Sequence, residues 1–242
     1  MRATVLLLSV LLVAGWLPQG ATGQEAKAKA GEHLALAAEL AADAPGLVTR
    51  AEWKAKQPLP GMKPQTPVSI IIHHTGVAQN GKVALERKMQ NLQEFSQEYG
   101  QVSPKRSKPP WPDVPYHYYI DLEGRIAEGR SVLFAGDTNT PYNTSGHIQI
   151  VLEGDFEKEM PAPKQLGSLH DLMVWVSLSW NISPARVSTH KDHAQTTCPG
   201  RNFLPHLKGL LAAAAEERQK SIVERCAARP GKEFARTYCR RT

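Results

Sequence analysis

A chain of 242 residues with 41% hydrophobic content is long enough to bury one sizeable core, and two full domains would be cramped. The formal charge of +6 is uneven, because residues 218–242 hold eight Lys or Arg against Glu224 and Glu233. The body that remains is near neutral, which excludes a nucleic-acid-binding core and sets apart a cationic extension.

In chain order, residues 1–23 read as a cleavable signal peptide, with Arg2, an apolar run from Ala3 to Trp16, and small Ala21 and Gly23 before the cut. The run is short for a bilayer crossing, so the mature chain is expected to have no transmembrane segment and to be exported, periplasmic or secreted. Residues 24–46 form an N-terminal helical extension, rich in Ala, Leu, Glu and Lys and stopped by Pro45-Gly46. Val68–Ile72 is short and continuously apolar, as in a strand buried on both faces, and it delivers His73 and His74 at its end. Apolar residues at helical spacing predict a helix over Val83–Tyr99, followed by an exposed loop over Ser103–Pro112. Strands are expected at Val114–Ile120 and Arg125–Gly129, joined by a turn, and again at His147–Leu152. Helices over Pro163–Ser179 and Phe203–Gln219 flank a short strand at Val187–Thr189. The sum is an α/β fold with a central mixed β-sheet flanked by helices. It forms one domain at residues 47–215, with a basic extension at 216–242.

Three cysteines are an odd number for an exported chain, where free thiols tend to oxidise. Cys226 and Cys239 are close enough in sequence to close a small disulfide loop, which leaves Cys198 over. Catalytic zinc takes three ligands from His, Cys or carboxylate and keeps a fourth position open. His73, His190 and Cys198 offer such a set, the last two eight residues apart in an irregular stretch that can fold back on one ion. Read without further context, two histidines and a cysteine also suit structural roles, since buried cysteine often serves as a small core hydrophobe.

Ile71-Ile72-His73-His74-Thr75, Pro115-Tyr116-His117-Tyr118, and the run from His190 to Cys198-Pro199-Gly200 resemble the signatures of the type 2 N-acetylmuramoyl-L-alanine amidases. That family includes the peptidoglycan recognition proteins and phage amidases. Val48-Thr49-Arg50-Ala51-Glu52-Trp53 and the run from Asp121 to Arg130 are similar to further family marks, and the likeness spans residues 47–215. The resemblance implies zinc held by His73, His190 and Cys198, with Tyr116 facing the metal site and Thr196 at a polar catalytic position. Some phage amidases carry lysine where Thr196 stands. It also implies peptidoglycan or muropeptides as partner, and hydrolysis of the amide between N-acetylmuramic acid and L-alanine.

The alternative from a different class is a non-catalytic peptidoglycan-binding receptor on the same fold. In the resemblance group such binders typically lose the zinc cysteine, whereas Cys198 is present. Strand alternation turns His74 away from His73 and His117 away from Tyr116, which fits satisfied core or supporting histidines, and His193 is expected near the cleft rim. The chain departs from the family pattern at Ala135-Gly136-Asp137-Thr138 and Ser145-Gly146-His147, where the resemblance implies a histidine after the glycine and a small, glycine-containing strand start. The basic extension is expected to attach loosely to anionic envelope polymers.

Overall fold

The computed structural model describes residues 21–103, 106–228 and 232–239. The expected signal peptide lies largely outside the described residues. Helix α1 (Ala21–Glu39) comes first, and a short strand β1 (Leu47–Val48) follows. The central sheet also holds β2 (Ser69–His74), β5 (Tyr118–Ile120), β6 (Ile126–Glu128), β7 (His147–Leu152) and β8 (Val187–Thr189), in the order β1-β6-β5-β7-β2-β8. It is mixed: β2 lies parallel between β7 and β8, whereas β5 and β6 are antiparallel. The expected α/β class, with helices flanking a central mixed sheet, is what the chain forms.

Alternation along β2 and β7 divides the sheet into two faces. Ile70, Ile72, Ile148, Ile150 and Leu152 enter a large apolar core with Phe156, Leu169, Leu172, Val176 and Phe203. Helix α3 (Pro163–Ser179) fills the centre of that layer. Its run from Leu172 to Ser179 is buried all round, because α1 and α4 (Leu204–Ala227) cover the sides that the sheet does not. Leu36 and Leu40 of the N-terminal segment are fully buried there, and the Trp175 indole donates to Leu40 O at 3.1 Å.

Helix α4 runs beyond the expected Gln219 to Ala227, since no Pro or Gly lies between Gln219 and Pro230 in the sequence. A last helix, α5 (Lys232–Tyr238), folds back onto the core. There Phe234 is fully buried and the Tyr238 hydroxyl donates to Leu178 O at 2.6 Å. Cys226 and Cys239 are joined as a disulfide. Arg225 pairs with Asp43 and lies over Phe234, and Arg218 lies over Tyr238. Two of the extension's cations are therefore spent on internal contacts.

The other face carries a smaller cluster of Trp53, Leu85, Met89, Val114, Tyr119, Ala127 and Val151, partly covered by α2 (Leu85–Gln97). Arg50 and Trp53 clamp it to β6, donating to Gly129 O at 2.6 Å and to Glu128 O at 2.7 Å. The expected exposed loop at Ser103–Pro112 is corrected. It overlaps an antiparallel pair of strands, β3 (Gly100–Ser103) and β4 (Arg106–Lys108), and Lys108 is only 2% exposed. The Lys108 ammonium donates to Ser96 O and Glu98 O at 2.8 Å and lies over Phe95 and Trp111. Carbonyls at the end of α2 and two ring faces replace its water.

Candidate metal centre

On the polar part of the second face, β2 carries His73 to its C-terminal end. His190 opens the short 3-10 turn that follows β8, and the Asp192 carboxylate closes this turn by accepting from the Thr189 N–H at 2.7 Å and its hydroxyl at 2.8 Å. Cys198 lies on the next turn, which Gly200 completes at φ +98°. A Cβ at Gly200 would meet the Phe156 backbone at 2.4 Å, so only glycine lets this turn sit close enough to the sheet.

One potential ligand atom from each of His73, His190 and Cys198 lies within 4.8 Å of the other two, and all three side chains are buried. The structure thus brings together the three residues singled out in the sequence. The Cys198 thiol is 3.8 Å from His73 Nδ1 and accepts the His74 backbone N–H at 3.3 Å. Thr140 hydrogen-bonds His190 Nε2 at 2.6 Å, leaving Nδ1 as the ring nitrogen free to bind a cation.

Burial, with help from His190, holds His73 well below the ordinary imidazole range. The Gln149 side-chain amide works in the opposite direction. Burial likewise brings His190 down to about 4 and pushes the Cys198 thiol up to about 12. At neutral pH the donor set is therefore two neutral imidazoles and a thiol, chemistry that suits zinc, and capture of a cation must displace the thiol proton.

Tyr116 is half-buried, with its ring 5.3 Å from that of His73. Burial first and the nearby Cys198 second raise its pKa, so its hydroxyl stays protonated at neutral pH. Thr196 is also half-buried, and its hydroxyl oxygen accepts from the Cys198 N–H at 3.2 Å.

The neighbouring histidines are occupied elsewhere. His74 Nδ1 accepts from the Phe156 N–H at 3.1 Å. His117 Nδ1 accepts from the Gln149 N–H at 2.8 Å, and its Nε2 therefore donates to Phe134 O at 2.9 Å. His193 is exposed and bonds Ser188 Oγ at 2.8 Å. The carboxylates whose charge acts on His74, Asp155 and Glu157, are paired with Lys158 and Arg201.

The sequence reading did not single out Thr140, Tyr142 or Gln149. The Tyr142 ring is 5.3 Å from His190, and its hydroxyl donates to Gln149 Oε1 at 3.2 Å. A signal for Gln149 was present, since it is a lone amide among the apolar residues Ile148, Ile150, Val151 and Leu152. Asp137, where the family pattern implies histidine, pairs with buried Arg130, which also donates to the carbonyls of Val114, Asp113 and Ala135.

Residues 63–201 match the family described as N-acetylmuramoyl-L-alanine amidase, and the chain belongs to that family. Among its relatives, peptidoglycan-recognition protein SD of Drosophila melanogaster is 32% identical over 158 residues, covering 64% of this chain and 80% of that protein. The solved structure of Drosophila recognition protein SD covers 67% of this chain and 94% of its own, at 28% identity and TM-score 0.56. N-acetylmuramoyl-L-alanine amidase LysC from Clostridium intestinale URNW matches at the same identity and TM-score, covering 70% and 99%. Recognition protein LE, solved in complex with tracheal cytotoxin, a monomeric diaminopimelic acid-type peptidoglycan, is 26% identical with TM-score 0.57 over 67% of this chain and 92% of its own.

Proposed function

We propose that this protein is an exported, zinc-dependent amidase that hydrolyses the bond between N-acetylmuramic acid and L-alanine in peptidoglycan. The observation that carries this reading is the convergence of Cys198 with His73 and His190 in one buried cluster. A zinc ion held by His73, His190 and Cys198 would supply Lewis acidity, which polarises an amide carbonyl and makes water a competent nucleophile at neutral pH. The protein's own groups do the rest. The Thr196 oxygen is used by the Cys198 N–H, so its proton is free to donate to the oxyanion that develops on the substrate. The protonated Tyr116 hydroxyl offers a second such donor.

Export is supported by residues 1–23, and among the described residues no helix is long and apolar enough to cross a membrane. The excess of Lys and Arg in residues 218–242 supports loose attachment to anionic envelope polymers, which raised salt releases.

The second reading is a receptor that binds peptidoglycan without cutting it, and the recognition proteins among the relatives favour it. Incubation with defined muropeptides, followed by mass spectrometry, separates the two. As-isolated and zinc-restored protein should release stem peptides with a new N-terminal alanine, whereas chelated protein and Cys198→Ser should not. Binding without cleavage in all four samples assigns the chain to the receptors.

A further inference from the structure

Both ring nitrogens of a metal-binding histidine normally have work: one faces the ion, and the other donates its proton to an outer partner that fixes the tautomer and the ring's orientation. His190 has that partner in Thr140. His73 turns Nδ1 toward Cys198, while its Nε2 is buried with no hydrogen-bond partner. The side-chain Nε2 of Gln149, a residue with no exposure, is likewise buried without a partner. Two orphaned nitrogens in one small region are costly, because each forfeits a bond it would have had in water.

The two side chains belong together by register. His73 pairs with Val151 and Ile71 with Gln149 across β2 and β7, so Gln149 is the diagonal neighbour of His73 on the same face. Space for the amide is provided on its far side. A Cβ on Gly136 would fall 2.0 Å from Gln149 Nε2, so the bare backbone at this position leaves the room the amide occupies. Turning the Gln149 amide over exchanges its oxygen and nitrogen without moving another atom. The oxygen is then the amide atom offered to the His73 Nε2 proton, and the nitrogen donates to the Tyr142 hydroxyl, whose own bond to Gln149 is merely reversed. That orientation gives each orphan a group of the complementary kind.

We infer that Gln149 is the positioning residue of the metal centre: its side-chain oxygen accepts the Nε2 proton of His73 and so presents Nδ1 to the cation. This inference rests on the zinc reading above, and its test separates the two. Zinc affinity is measured by competition with a chromogenic chelator for wild type, Gln149→Met and Gln149→Glu, alongside thermal unfolding of the metal-free forms. The methionine variant keeps the shape without an acceptor and should bind zinc about 10- to 100-fold more weakly. Glutamate, which can only accept, should restore affinity to within about threefold of wild type. A methionine variant that binds within about twofold of wild type overturns the inference.

Long-range proton–nitrogen spectra of the metal-free wild type provide a readout that needs neither variant nor zinc. They should show His73 with its proton on Nε2, and a proton on Nδ1 overturns the assignment. Should wild type hold no zinc, the metal reading fails, while these spectra still decide the role of Gln149.

Discussion

The two faces of the central sheet are built from alternate residues of the same strands and do opposite work. Behind it, Ile70, Ile72, Ile148 and Ile150 meet α3 in an apolar core that the two terminal segments help to close. In front, Ile71, His73, Gln149 and Val151 share a face on which polar groups are buried at close quarters. The back face makes the fold stable, whereas the front face holds buried polar groups that burial keeps uncharged. Substitutions behind the sheet should therefore cost stability and spare the metal, and those in front should do the reverse.

The strongest test is His190→Ala, expected to abolish zinc binding and to lower muropeptide cleavage by more than about 100-fold, while the metal-free protein melts close to wild type. A large loss of fold stability without loss of zinc would erase the contrast. Next, Phe203→Ala behind the sheet should destabilise by about 3–5 kcal/mol in denaturant unfolding and leave zinc stoichiometry unchanged.

The third test is pH. His117 is fully buried, and burial lowers its pKa to about 4 against the Phe134 carbonyl, which favours the proton. Above about pH 6.5 it is neutral in both states and full stability is present; below that the unfolded chain binds a proton that the folded chain refuses. His117 alone should cost chelated protein up to roughly 3 kcal/mol between about pH 6.5 and 4, on top of the losses from His73 and His190, which burial depresses in the same direction, and His117→Gln should make the slope shallower by that share. Last, replacing both Cys226 and Cys239 by serine should cost about 3 kcal/mol or less, set by the 13-residue separation that the bond closes, and should not alter zinc affinity.

The sequence made the back face easy to read. Long apolar runs such as Ile70–Ile72 and Leu172–Leu178 leave few alternatives to burial, and His147–Leu152, Pro163–Ser179 and Val187–Thr189 form the expected elements at the expected bounds. The C-terminal end of α4, helix α5 and the β3–β4 pair were harder. Their structure depends on tertiary partners: Phe234 needs α1, and Lys108 needs the carbonyls at the end of α2. In the site, His73, His190 and Cys198 were legible because the motifs around them resemble the family's signatures, whereas their residue types alone also suit structural roles. Thr140, Tyr142 and Gln149 were not, since hydroxyls and amides are common and only the fold reveals which of them face a histidine.

The contact between Gly136 and Gln149 also reaches beyond this one molecule. A side chain at 136 and an amide at 149 compete for the same space, so position 136 cannot gain a side chain while Gln149 remains. Among descendants of a common ancestor the two should be inherited as a pair. A lineage that gains a side chain at 136 should show a smaller residue at 149, with His73 finding a different outer partner.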